Sequence, residues 1–523
     1  MEATSLAAAL TGCAALIAPL LVGAARADAD CGALSQRQLI GISIAAAEAI
    51  SGGTYVTPDH ARHTVPRFCR VQGEASPSSD SQIRFELWLP AGEWNGRYYQ
   101  LGTGGYAGAI PYALMAAELR RGNAVAATDT GHRGDGFDAT WARGHPEKVV
   151  DYGWRSLKVT SDAARGLIHA YYGTAARQRY FAGCSNGGRQ ALVAAQRFAD
   201  DWDGILAGAP ALDWTRQLAS FAWTQHALRN EPGSWISPAK LPAIQRAALD
   251  SCGPAARVVD GVPLDPRPCR FKPDSLICKG KETNQCLTAQ QAVSLLRIQE
   301  GPREPATGAQ LYFGFEPTAA AIAENWERWI LNVDATAPAQ LKLGEQFFRN
   351  MVFADAEWQL EDFNSARDFA LAQTTPTAGQ PLSHVLNATD ADLSRALERG
   401  TKLLMYFGWA DALISPRAAV AYYEKAIQRT GDVQKTRAFF RLFMVPGMTH
   451  CQGGPAPNAF GQSAFTPGLR EDAEHDLRRA LEAWVERGIA PRRVVAAKYV
   501  NDDPTQGVAT TRVLCPFPQI DGC

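Results

Sequence analysis

The sequence predicts an α/β fold: a mostly parallel sheet covered by helices on both faces and interrupted by one large insertion. Three observations carry this reading. Short apolar runs alternate with segments of helical spacing from Ile83 to Pro210, the alternation then stops, and it resumes at Lys402. A chain of 523 residues, 46% hydrophobic and 20% charged, is long enough for a large core and such an insertion.

Residues 1–27 read as a signal peptide. Ser5 to Val22 is apolar, and Ala25-Arg26-Ala27 offers the small-x-small pattern of a signal-peptidase site. Pro19 and the following Asp28-Ala29-Asp30 argue against a membrane anchor. Leu10-Thr11-Gly12-Cys13 fits a lipoprotein box, but the apolar run continues past it. No later segment is apolar enough to span a bilayer, so no membrane association is expected. A net charge of -1 without long single-sign runs argues against nucleic acid as a partner.

Beyond Cys13 the chain carries Cys31, Cys69, Cys184, Cys252, Cys269, Cys278, Cys286, Cys451, Cys515 and Cys523. An even number in an exported chain predicts five disulfides. Zinc competes for cysteines, yet no C-x-x-C pair is present.

In chain order, Cys31 to Arg70 reads as an N-terminal extension. Ile83–Leu89 alternates apolar and polar residues as a half-buried strand does, and Pro90-Ala91-Gly92 ends it. The strand Arg97–Leu101 opens into Gly102-Thr103-Gly104-Gly105, where backbone N–H groups can approach a ligand; the loop is a candidate oxyanion hole or a plain turn. Asn123–Asp129 reads as a buried strand and Ser156–Tyr172 as a helix. Arg179 to Ala182 then runs into Gly183-Cys184-Ser185-Asn186-Gly187, with a helical pattern after it. Strand, sharp glycine-flanked turn and helix are what a nucleophile elbow requires, and Ser185 is its serine.

The core is expected over residues 28–210 and 400–523, with 211–399 as an inserted cap, or lid, domain. That insertion is rich in tryptophan and proline, dense in cysteine from Cys252 to Cys286, and helical from Ala289 to Glu300. Trp223, Trp326, Trp329, Phe347, Phe348 and Phe353 in it are either core residues or stacking surfaces for an aromatic ligand. After Lys402–Phe407, Asp411 follows a strand end; after Ala438–Val445, His450 does the same. The order Ser185, Asp411, His450, each just past a strand, is that of the α/β-hydrolase fold. Asp129 and Asp203 also sit at strand ends, but the acid of this fold comes late and just before the histidine. His132 and His145 in a glycine-rich loop, His169 in a helix and His475 in a charged helical stretch are expected to be structural or on the surface.

With these residues in place, the sequence resembles the tannase/feruloyl esterase family, which includes hydrolases of the terephthalate mono-ester MHET. The resemblance rests on Trp94-Asn95-Gly96-Arg97, Gly102-Thr-Gly-Gly105, Thr128-Asp-Thr-Gly-His132, Gly183-Cys-Ser-Asn-Gly-Gly-Arg189, Gly408-Trp-Ala-Asp411 and Gly447-Met-Thr-His-Cys451. It implies a secreted or periplasmic serine esterase acting on small esters of hydroxycinnamic or phenolic acids, feruloyl-esterase-like, through Ser185, His450 and Asp411; the alternatives are a tannase acting on galloyl esters, an MHET hydrolase or, more remotely, a catalytically inactive binding protein on the same fold. The oxyanion would be held by the N–H groups of Asn186 and Gly105. It also implies the pairs Cys184–Cys451, Cys31–Cys69, Cys252–Cys269, Cys278–Cys286 and Cys515–Cys523. The family binds calcium through aspartates of the loop between Cys252 and Cys269. Here that loop reads Gly253-Pro-Ala-Ala-Arg257-Val-Val-Asp260-Gly-Val262, with Asp260 the clear acid. Calcium needs about six to eight oxygen ligands, so weak or no binding is expected, with Arg257 facing Asp260 as a substitute cation, and no other cofactor.

Overall fold

One nine-stranded sheet organises the chain. In the computed structural model, which describes Met1 and residues 30–323, 325–332 and 337–523, its strands are β1 (Ile42–Ile50), β2 (Phe68–Ala75), β3 (Ile83–Pro90), β4 (Arg97–Leu101), β5 (Ala124–Thr128), β6 (Gln178–Cys184), β7 (Gly204–Gly208), β8 (Lys402–Gly408) and β9 (Phe440–Val445). The expected signal peptide, Met1 apart, and with it Cys13, lies outside the described residues.

The strands lie side by side in the order β1-β2-β3-β5-β4-β6-β7-β8-β9. Pairing is antiparallel from β1 to β5 and parallel from β5 to β9. All residues of β5 and β7 are buried, as their continuous apolar sequences require of strands covered on both faces.

Two sequence expectations need correction. Strand β3 is not half-buried: only Arg84 in it is partly exposed, because β2 and β5 flank it and both its faces are covered. Its polar Glu86 is buried too, accepting hydrogen bonds from Arg70 Nε at 2.9 Å and Trp88 Nε1 at 2.8 Å. Nor is Cys31–Arg70 a mere extension. It supplies β1 and the start of β2, the antiparallel edge of the sheet, with the hairpin Gly53–Val56/Arg62–Val65 between them.

Helices α1 (Tyr112–Arg120), α2 (Ser156–Tyr172) and α3 (Asn186–Arg197) follow β4, β5 and β6. Helix α2 stops at Gly173, whose φ of 69° gives the left-handed C-cap that glycine adopts without penalty. Between β7 and β8 the described residues contain no strand of the sheet. They form α4 (Trp214–Arg229), α5 (Ala289–Glu300), α6 (Asn325–Trp329), α7 (Ala339–Phe347), further short helices and two small hairpins. Helix α4 is buried around most of its circumference and forms the centre of this region. At Gly344 of α7 a Cβ would lie 3.1 Å from the Ala222 nitrogen, so the two helices meet nearly backbone to backbone. After β8 come α8 (Pro416–Thr430) and, after β9, α9 (Leu477–Arg487), N-capped by Asp476. No described helix is long and apolar enough to cross a membrane.

Candidate active site

The carboxyl ends of β4, β6, β8 and β9 converge on one edge of the sheet, where α/β folds place their sites. Ser185 joins β6 to α3 with φ 65° and ψ -124°, a conformation an L-residue holds only under tertiary constraint. The constraint is visible. The Ser185 N–H donates to Gly208 O at 3.0 Å, and its carbonyl accepts from Arg189 N and Ala211 N at 3.0 and 3.2 Å. Glycine is required around it: a Cβ on Gly183 would lie 2.6 Å from Gly187 O, and one on Gly188 would lie 2.1 Å from Gly208 O.

The acid and the imidazole come from neighbouring strands. A Cβ on Gly408 would lie 2.1 Å from Met448 O, and Ala410 N donates to that same carbonyl at 3.1 Å, so the two loops lie backbone against backbone. Asp411 is buried; its Oδ1 accepts from the N–H groups of Leu413 and Ile414, both at 2.9 Å. Its Oδ2 lies 2.8 Å from His450 Nδ1. A carboxylate there favours the tautomer with the proton on Nδ1, leaving Nε2 as an acceptor. Asp129 and Asp203 are engaged elsewhere: Asp129 accepts from the N–H groups of Arg84 and Gly131, and Asp203 from Arg179.

A disulfide joins the two halves of this arrangement. Cys184 and Cys451 are bonded with Cα atoms 6.1 Å apart across a sequence separation of 267, and Ser185 and His450 are the chain neighbours of the two bonded cysteines. The other four bonds among the described residues are Cys31–Cys69, Cys252–Cys269, Cys278–Cys286 and Cys515–Cys523, the pairing the resemblance implies.

The N–H of Asn186 heads α3 and so has no carbonyl four residues earlier to bond. Gly105 has φ 52°, and a Cβ on it would lie 2.2 Å from Gly136 O, so no larger residue fits. The two segments are clamped through Thr103, whose N–H donates to Gln190 Oε1 at 2.9 Å and whose carbonyl accepts from Asn186 Nδ2 at 3.0 Å. Tyr152 OH donates to Gly105 O at 2.9 Å and fixes that peptide. Gln190 and Tyr152 are site-building residues that sequence reasoning did not single out, and Arg189 entered it only as the end of the elbow motif.

The insertion reaches the histidine. Trp329 on α6 meets the His450 ring edge to face, centroids 5.5 Å apart, in a cavity of about 700 Å³ that Arg328, Asn325 and Gln452 also line. Trp326, Phe347 and Phe348 are core residues, while Trp223, Trp329 and Phe353 are partly exposed. A second, more apolar cavity of about 360 Å³ lies beyond the disulfide, bounded by Gly104, Leu114, Cys184, Cys451 and Phe465.

Of the remaining histidines, His132 is buried, stacked on Trp141 at 3.7 Å with Nε2 2.8 Å from Tyr106 O, and burial holds its imidazole down to about 4. His145 pairs with Asp80 and His169 lies in α2. His475 is in a turn before α9, not in a helix, because its ring and N–H both turn to Asp472.

Among the described residues no group of three or more His, Cys, Asp or Glu side chains is placed to hold a metal. In the Cys252–Cys269 loop, Arg257 forms its ion pair with Asp521 and not with Asp260 as expected. Its left-handed backbone (φ 50°) accompanies a side chain turned to the C-terminal segment. The buried acid of the loop, Asp265, is held by Arg267.

The family model described as tannase and feruloyl esterase matches residues 69–521. An uncharacterized esterase of Xanthomonas campestris pv. campestris is 45% identical over 514 residues, covering 95% of this chain and 89% of that protein. A probable feruloyl esterase B-2 of Aspergillus terreus is 30% identical over 461 residues, covering 86% and 82%. The crystal structure of feruloyl esterase B from Aspergillus oryzae superposes with a TM-score of 0.83 at 25% identity, covering 93% of this chain and 95% of that one.

Proposed function

This chain belongs to the tannase and feruloyl esterase family and is a carboxylic ester hydrolase of α/β-hydrolase fold; from that premise we propose that it is an exported serine esterase cleaving esters of aromatic carboxylic acids. The observation that carries the mechanism is the 2.8 Å contact between His450 and Asp411, tied by the Cys184–Cys451 bond to a serine in a strained elbow.

His450 Nε2 takes the proton of Ser185 Oγ as the oxygen adds to the ester carbonyl, and Asp411 stabilises the imidazolium. The tetrahedral oxyanion is held by the N–H groups of Asn186 and Gly105. Collapse expels the alcohol with the proton from His450. Water, deprotonated by the same imidazole, then releases the acid and restores Ser185.

Residues 211–399 act as a lid. The reading is supported by Asn325 Nδ2 donating to Ala410 O at 2.8 Å and Gln340 Nε2 to Ala412 O at 3.2 Å, which tie the insertion to the Asp411 loop. Trp329 is the aromatic face best placed for the acyl ring. Calcium is expected to bind weakly or not at all: the loop offers Asp260 and few other side-chain oxygens, and Asp265 is already paired with Arg267.

The test is kcat/KM for methyl ferulate, methyl gallate and the terephthalate mono-ester, beside Ser185→Ala. A Ser185-dependent preference identifies the acyl group. Turnover that survives in the folded variant would reject the nucleophile, and no turnover of any of the three would move the substrate outside this set.

A further inference from the structure

Arg189, in the first turn of α3, is fully buried. Its Nε donates to Asn186 Oδ1 at 2.7 Å. Its two terminal nitrogens donate to the carbonyls of Gly153 at 2.9 Å, Leu386 at 2.8 Å and Tyr152 at 3.2 Å. Its guanidinium also lies over the rings of Tyr152, at 5.0 Å, and Trp214, at 5.6 Å. Every hydrogen-bonding partner in this set is neutral, and no described carboxylate lies within ion-pair distance. Burial lowers the tendency of the group to hold its proton, but an arginine stays charged in a protein.

A buried cation without a counter-ion is expensive, and its position makes the expense greater. The N-terminal turn of a helix already carries positive potential and favours an anion. Two positive fields are therefore superposed beside the Asn186 N–H, and the guanidinium meets only neutral amide and carbonyl oxygens, with no described carboxylate at ion-pair distance. The negative charge forms during the reaction, on the carbonyl oxygen.

The contacts add a geometric link. Through Asn186 Oδ1 the guanidinium holds the residue that carries one proposed oxyanion donor. Through the Tyr152 carbonyl and ring it braces the tyrosine whose hydroxyl holds Gly105, the other donor. Leu386 and Trp214 lie in the insertion, so the same side chain seats that region on the elbow.

We propose that Arg189 is a positioning and electrostatic residue of this esterase, a buried cation that backs the oxyanion hole and whose counter-charge is the tetrahedral oxyanion itself. The proposal rests on the reading of Ser185, Asn186 and Gly105 given above. The effect should fall on kcat, because the charge is met only as the oxyanion develops.

The experiment compares Arg189→Met and Arg189→Lys with wild type and Ser185→Ala. It reads kcat, KM, thermal midpoint and the Ki of an arylboronic acid, which forms a tetrahedral adduct with a serine nucleophile. Arg189→Met is expected to lower kcat about 10–100-fold with KM within about 3-fold, and to weaken the boronate in parallel. Arg189→Lys is expected to recover most of kcat despite a lower thermal midpoint. A lysine variant as slow as the methionine variant, or a methionine variant as fast as wild type, would overturn the proposal. If methionine prevents folding, the lysine variant carries the test alone: a folded Arg189→Lys with kcat within about 10-fold of wild type and the boronate Ki nearly unchanged is expected, and a folded lysine variant slower by about 100-fold or more overturns the idea. An active Ser185→Ala, or one that binds the boronate as wild type does, instead removes the underlying reading of the site.

Discussion

From β6 into α3 the chain has almost no freedom: Gly183 and Gly188 leave no room for a Cβ, Gly187 little, and the backbone of Ser185 is bonded on both sides. The insertion is built differently. Across 211–399 it uses short helices, two-residue hairpins and the small loops closed by Cys252–Cys269 and Cys278–Cys286. The first region holds the proposed nucleophile through backbone geometry, which tolerates little change. The second presents side chains such as Trp329, whose ring centroid lies 5.5 Å from that of the histidine, and such a surface can vary without disturbing the chemistry. Core substitutions should therefore change kcat or stability, and insertion substitutions should change KM.

The largest effect that sharpens this contrast, after loss of Ser185, is expected from replacing Cys184 and Cys451 together by alanine. Stability should fall by on the order of 2–5 kcal/mol, since the bond closes a very long loop, and kcat should fall with the register of the His450 loop. Denaturant unfolding and steady-state kinetics of the double variant check both, and an unchanged protein would remove the bond from the account.

His132→Gln tests the core through pH. The imidazole has an ordinary value of 6.5 and is held down to about 4 by burial, so its contribution is complete above about pH 6.5 and is lost as pH falls through about 4. The stability difference between wild type and variant should shrink by up to about 3 kcal/mol between pH 7 and pH 4, as read by thermal denaturation across that range. Asp129, pushed up to about 6 by burial from 3.8, works in the opposite sense. Its contribution is present below its unfolded value and lost as pH rises through about 6, and it cancels in the comparison because both proteins carry it.

On the insertion side, Trp329→Ala should raise KM for an aromatic ester about 10-fold, the equivalent of about 1.4 kcal/mol, with kcat and thermal midpoint nearly unchanged. A kcat loss equal to that of a core variant would erase the distinction. The smallest effect concerns calcium: native mass spectrometry should find no tightly bound ion, and chelator should leave the thermal midpoint where it was. One bound calcium per chain would show that backbone carbonyls suffice without the missing acids.

Much of the core was legible because its signals are local. Gly183-Cys-Ser-Asn-Gly187 between a strand and a helix, and acids and imidazoles just past apolar runs, carry their placement in the sequence. Strand β1 was not legible: Ile42-Ser-Ile-Ala-Ala-Ala-Glu-Ala-Ile50 is rich in a helix former, and only pairing with β2 makes it a strand. Arg189 stands in the elbow motif, but its burial was hidden for a related reason. An arginine in a helix reads as a solvated face, and what buries it are carbonyls 36 and 197 residues away. Trp326 and Trp329 differ by three positions on one short helix, yet the first is core and the second faces His450. Their composition is identical, and only the docking of that helix against the core separates them.

The Cys184–Cys451 bond also changes what a single proteolytic cut can do. Every residue of the insertion lies within the ring it closes, and exposed loops such as that around Glu304 to Gln310 are natural targets for a protease. A chain nicked there stays one covalent molecule, with the serine on one fragment and the acid and imidazole on the other, both still anchored in the same sheet. In an extracellular setting that topology turns a scission into a two-chain enzyme, visible as two bands only after reduction.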